Sequence, residues 1–188
     1  MEIKNIVLPT QTKEKETREI KRKKEEKQPK KRVVTETSAW TKHIVNDNMV
    51  QEEELEWLSH ILLDEDEHNF DSKKKHFLRE LIHQKINGYK YQDEKKLLYS
   101  PTEFVSLDYV IELLQTCELK CFYCKGLVKL WYEISREPTQ WTLERIDNKY
   151  GHNKGNVEVA CLSCNLKRRT MYHERFVFTK QMKLEKMN

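Results

Sequence analysis

Three stretches of the chain repeat apolar residues at helical intervals. In NMVQEEELEWLSHILLDEDEH, Val50, Leu55, Leu58, Ile61 and Leu62 recur along one face. In SKKKHFLRELIHQKINGYK, Phe77, Leu78, Leu81, Ile82 and Ile86 do the same, with Ser72 or Asp71 as N-cap and Gly88 as the stop. SLDYVIELLQTC predicts a third amphipathic helix, capped by Ser106. His60, His76 and His83 lie on these helices and read as solvated side chains. Together the helices predict a small bundle over 37–116.

From 117 the period shortens. CELKCFYCKGLVKLWYEIS reads as a knuckle leading into an apolar strand, and WTLERID and NVEVA alternate in the manner of strands. NKYGHNKG between them is turn chemistry, in which Asn148, Gly151, Asn153 and Gly155 shape the backbone. CLSCNLKRRTMYHERFVFTKQMKL begins with a second knuckle and continues as a basic helix. The expected class is α+β: a helical segment over 37–116, then a small metal-stabilised domain over 117–188. Residues 1–36 have almost no apolar periodicity and read as a disordered basic tail.

Composition agrees with a tail. Of the 188 residues, 35% are charged and 37% hydrophobic, and the mean hydropathy is −0.88, too polar for one large core through the whole length. No apolar run approaches the roughly 18 residues of a membrane span. The N-terminus lacks a signal pattern, so an intracellular protein is expected. Charge is unevenly distributed. Residues 1–36 carry 12 basic against 7 acidic side chains, residues 37–118 carry 9 against 17, and residues 119–188 carry 14 against 7. Basic ends favour a polyanion such as nucleic acid. KRKKEEKQPKKRV in the tail resembles a nuclear localisation signal, which would imply a eukaryotic cell, nucleus or cytoplasm, or one infected by a virus.

The most specific signal is in the cysteines. Cys121-x2-Cys124 is followed after 36 residues by Cys161-x2-Cys164. Two such pairs can close a tetrahedral sulfur site, which suits zinc; an iron–sulfur cluster is the alternative. Cys117 falls outside the pairing and reads as a packed thiol. After the second pair, Lys167, Arg168 and Arg169 are candidate phosphate contacts, joined by a helix start. Trp131, Trp141 and Tyr150 read as core or as stacking platforms for bases.

The run LERIDNKYGHNKGNV with Asn156-x4-Cys161-x2-Cys164-Asn165 resembles the HNH endonucleases of treble-clef type, in which zinc knuckles bracket a ββα-metal hairpin. A longer set of segments, from INGYKYQDEKKL to CLSCNLKRR, is similar to uncharacterised proteins of large eukaryotic DNA viruses. The resemblance implies a metal-dependent endonuclease acting on DNA. Glu144, Asp147 and Asn156 would hold magnesium or manganese, and Asn165 stands where the family has its last His. The family's general base falls on Arg145, which cannot serve because its pKa exceeds about 12, although it can clamp a phosphate. His152, in the turn, is the nearest replacement base, or only a surface residue. Asn156 has a second reading, as a tie between turn and hairpin. The rival functions are a non-catalytic zinc module binding nucleic acid, such as a transcription or recombination accessory factor, and a zinc domain for protein–protein contact.

Overall fold

The computed structural model describes residues 29–45, 51–62 and 71–182. The tail over 1–28, with most of the basic run 21–33, lies outside the described residues, as do Val50 and the acidic stretch after Leu62. A short irregular helical stretch over 33–45 precedes α1 (Gln51–Leu62), α2 (Ser72–Lys95) and α3 (Leu107–Thr116). Then come β1 (Trp141–Arg145), β2 (Val157–Cys161), α4 (Leu162–Arg168) and α5 (His173–Gln181). The architecture is α+β, with β1 and β2 forming a two-stranded antiparallel sheet in which Trp141 faces Cys161 and Arg145 faces Val157. Among the described residues no helix is long and apolar enough to cross a membrane.

Local chemistry sets the helix starts. The Asp71 carboxylate accepts the Lys73 and Lys74 amides at 3.0 and 3.2 Å, and Ser106 accepts that of Tyr109 at 3.3 Å. Gly88 does not stop α2. It sits on an exposed face, and the helix continues to Lys95 because Tyr89 and Asp93 beyond it are buried against the hairpin, a tertiary gain larger than one glycine's cost of about 1 kcal/mol. The strand expected after the first knuckle is reduced to an isolated bridge from Lys129 to Gln140. Val128, Leu130, Trp131 and Tyr132 are nevertheless buried, so the segment is anchored by side chains rather than by a ladder. The single basic helix expected at the C-terminal end is two, broken at Arg169, whose φ of 53° is left-handed.

The boundary of the tail also moves. The Arg32 amide donates to the Glu133 carbonyl at 2.8 Å, the Ser135 amide to that of Lys30 at 3.0 Å, and the Arg32 guanidinium lies 4.3 Å from the Tyr132 ring centre. Residues 30–36 therefore belong to the folded part. The helices and the hairpin also share one core, in which Leu78, Ile82 and Ile86 join Val110, Leu114, Leu143 and Val159.

One stripe of α2 joins these halves. Lys85, Tyr89 and Asp93 follow at intervals of four residues, so they share a helix face. The Lys85 ammonium donates to the Trp141 carbonyl, to Tyr132 Oη at 3.0 Å and to Gln140 Oε1 at 3.1 Å. Burial holds its pKa well below the usual lysine value. Tyr89 Oη accepts the Leu143 amide at 3.0 Å. A two-stranded sheet leaves unpaired edge groups, and α2 satisfies those of β1 with side chains.

Glu54 of α1 is a second buried polar group. It is 8% exposed, and the Trp131 amide approaches its carboxylate at 3.5 Å. Burial pushes its pKa up to about 7, against 4.5 for a free glutamate. The folded state thus holds this proton more tightly than the unfolded chain, so stability falls as pH rises from 4.5 to about 7. Glu54→Gln is expected to raise stability above pH 7 by about 1–3 kcal/mol and to change little at pH 4, read by urea unfolding at both pH values.

Candidate functional site

Two hairpin-like turns bring the four cysteines together. In the first knuckle the Cys121 amide donates to the Gly126 carbonyl at 2.8 Å and the Lys125 amide to that of Cys121 at 2.9 Å, with Lys125 at a φ of 57°. The Phe122 amide donates to Val159 of β2 at 2.8 Å, which sets this knuckle against the sheet. Cys161 ends β2 and caps α4, its Sγ accepting the Cys164 amide at 3.4 Å. The ligand atoms of Cys121, Cys124, Cys161 and Cys164 all lie within 4.8 Å of one another. Cys124 and Cys161 Sγ are 3.9 Å apart, close to the roughly 3.8 Å edge of a tetrahedron with metal–sulfur bonds of about 2.3 Å. These residues fit one ion such as zinc; sulfurs so close do not surround a multi-iron cluster. The contact between Cys121 and Cys161 lowers the first thiol and raises the second, and burial raises Cys164. Cys117 stands apart, its thiol donating to the Leu114 carbonyl at 3.3 Å.

The hairpin carries a cleft of about 230 Å³, lined by Tyr89, Gln92, Lys96, Leu143, Glu144, Arg145, Asn148, His152, Asn165, Leu166 and Arg169. Five of the expected site residues, Glu144, Arg145, His152, Asn165 and Arg169, therefore meet in one place. The states of their side chains differ from the expectation in three respects.

Glu144 is 6% exposed and is paired with Arg168, which is 2% exposed. The Arg168 guanidinium also donates to the carbonyls of Arg145 and Ile146, each at 2.7 Å. Burial raises the Glu144 pKa, and Arg168 opposes that rise. Arg168 is therefore a strut between α4 and β1, not a phosphate contact. Its two neighbours, Lys167 and Arg169, are exposed.

Asn156 acts as the tie. Its Oδ1 accepts the Asp147 amide at 3.0 Å, and its Nδ2 donates to the carbonyls of Asp147 and Gly151 at 3.1 and 2.9 Å. Asp147 is exposed and accepts the Lys149 amide at 2.9 Å, which shapes the turn. Asn165 donates to Thr142 Oγ1 at 3.2 Å. Among the described residues only the four cysteines form a group of three or more Cys, His, Asp or Glu ligands placed to share an ion. Of the residues expected to hold magnesium, Glu144 is engaged by a guanidinium and Asn156 by backbone groups.

His152 is no surface residue. It is 5% exposed, with Nδ1 at 2.9 and 3.0 Å from the two carboxylate oxygens of Asp93, itself fully buried. The His152 backbone amide donates to the same carboxylate at 2.6 Å, and the Val105 amide donates to the His152 carbonyl at 3.0 Å. Next to it, a Cβ on Gly151 would stand 2.6 Å from the Leu98 carbonyl and 2.8 Å from Asp93 Oδ2, so only glycine permits this approach. The Tyr89 ring lies 4.5 Å from the imidazole. Burial lowers the His152 pKa, Arg145 and Lys96 lower it further, and Asp93 opposes them. With the Asp93 carboxylate at Nδ1, a neutral ring carries its proton there. His152 lines the cleft together with Arg145.

Asp93 was not among the residues singled out from the sequence. Its only signal is its place on the 85–89–93 stripe, in line with the apolar face of α2. Arg136 and Lys96 were missed as well. A second, open groove of about 610 Å³, lined by Arg136, Pro138, Leu162, Ser163, Leu166, Lys167 and Arg169, shares Leu166 and Arg169 with the first. Trp131 and Trp141 are buried in the core, while Tyr150 is exposed. Comparison of the chain with family models, with curated proteins and with solved structures gives no match. The functional conclusion rests on the chemistry of the site.

Proposed function

We propose that this chain is a zinc-stabilised nucleic-acid-binding protein whose C-terminal part is a treble-clef hairpin of the HNH type. The observation that carries this reading is the pair of adjoining grooves. Lys96, Arg136, Arg145, Lys167 and Arg169 line them, and their one acidic lining residue, Glu144, is paired internally with Arg168. The two grooves share Arg169, so their basic linings adjoin, which suits a polyanion longer than a single phosphate, and zinc would hold α4 and the hairpin in register beside them. Magnesium-dependent cleavage of DNA, as in the HNH enzymes, has less support because Glu144 and Asn156 already have internal partners.

Binding of this kind is electrostatic, so it should weaken as counterions are restored. Affinity of the full zinc-loaded chain for fluorescent DNA and RNA strands is expected to fall with a log–log salt slope of about −0.7 to −0.9 per phosphate contacted. The triple variant Arg136→Glu, Lys167→Glu, Arg169→Glu should flatten the slope by about two to three contacts while keeping zinc and melting temperature. Binding that ignores salt, or none at low salt, would refute the proposal.

A further inference from the structure

We infer that the cleft cleaves RNA by transphosphorylation from the ribose 2′-hydroxyl, with His152 as the catalytic base and Asp93 as its positioning residue. This rests on the nucleic-acid reading above and names its substrate class. Cleaving a phosphodiester requires a nucleophile, a group to take its proton, and positive charge around the phosphorus. The cleft supplies the second and third. His152 offers an unprotonated Nε2, because Asp93 holds the proton on Nδ1 at 2.9 Å. Arg145, Arg169 and Lys96 surround the same small cleft. The one carboxylate lining the cleft, Glu144, is taken up by Arg168, so the nucleophile comes most simply from the substrate. RNA carries one beside every phosphate, and DNA carries none.

The step balances without a co-reactant. The 2′-hydroxyl proton passes to Nε2 of His152 as O2′ bonds to phosphorus. The charge that builds on the phosphoryl oxygens is met by Arg145 and Arg169. The P–O5′ bond then breaks, and the 5′-oxygen takes a proton from water. The hydroxide so formed is neutralised by the proton that His152 releases. The products are a 2′,3′-cyclic phosphate and a 5′-hydroxyl. Asp93 keeps the ring in the productive tautomer and orientation, as a buried carboxylate does for a histidine base in other settings.

The test uses the full zinc-loaded chain without added magnesium or manganese. Three strands of one sequence are compared: all-ribose, all-2′-O-methyl and DNA. The ribose strand should be cut to cyclic-phosphate ends, while the 2′-O-methyl strand should bind, resist cleavage and inhibit. His152→Gln keeps a donor for Asp93 but loses the base, and should lower the rate by about 10²–10⁴-fold with zinc content and melting unchanged. Asp93→Asn should lower kcat by roughly 10²-fold or more and leave KM near wild type. Binding of the ribose strand without cleavage would overturn the inference and leave the binding proposal standing. Failure to bind any strand would overturn both. Cleavage that needs magnesium, leaves no cyclic phosphate or persists in His152→Gln would also overturn it.

Discussion

Removing the metal from this protein is expected to unfold it from the knuckles outward. Cys161 has three places at once: it belongs to the four-cysteine cluster that can hold the ion, it ends β2, and its sulfur caps α4. Apparent binding energies of about 10–16 kcal/mol for structural zinc are as large as the whole net stability of a typical domain, about 5–15 kcal/mol. Without the ion, four clustered thiols and two knuckles have little to hold them. The hairpin also shares its core with α2 and α3, so its loss should propagate to the helices. Elemental analysis should find one zinc per chain and no iron. A strong chelator, or Cys161→Ser, should abolish cooperative thermal unfolding. A metal-free protein that keeps its melting temperature would refute the site.

The second large effect is expected at Arg168. Arg168→Ala would leave the buried Glu144 carboxyl without its counter-charge and two carbonyls without this donor. Breaking a buried pair from one side costs about 3–5 kcal/mol. The neighbours provide the contrast: Lys167→Ala and Arg169→Ala remove exposed charges and should stay within about 0.5 kcal/mol of wild type. Replacing both partners with apolar residues, Glu144→Leu with Arg168→Met, should recover much of the loss. Urea unfolding midpoints decide the matter. If Arg168→Ala keeps its midpoint and instead loses only nucleic-acid affinity, Arg168 is a binding residue after all.

These two sites differ in how far they can be read from the chain. The cysteine pairs are legible because each pair is local: two residues of spacing bring two sulfurs to one side of a turn, whatever surrounds them. The hairpin is legible for a similar reason, since alternation in WTLER and VEVAC and the glycines and asparagines between them are short-range patterns. The caps at Asp71 and Ser106 act within three residues of themselves. Asn156 stands in between. Its tie to the turn spans at most nine residues and was one of two readings open on the sequence.

What the amino-acid order determined alone was therefore the set of local units: the amphipathic helices, the knuckles, the strands with their turn, and a basic C-terminal segment. The tertiary structure decided which polar groups remain free. Glu144 finds Arg168 across 24 residues, and His152 finds Asp93 across 59. Lys85 finds the edge of β1 across 56. No periodicity records such partnerships, because each depends on two elements meeting at one angle and depth. Burial then fixes their state. A carboxylate in water is an available metal ligand, and beneath α4 it is the counter-ion of a strut; a histidine in a solvated turn is free to rotate, and against a buried aspartate its ring is held in one orientation. The same residue types take opposite roles because a low-dielectric interior makes an unpaired charge costly and a paired one fixed.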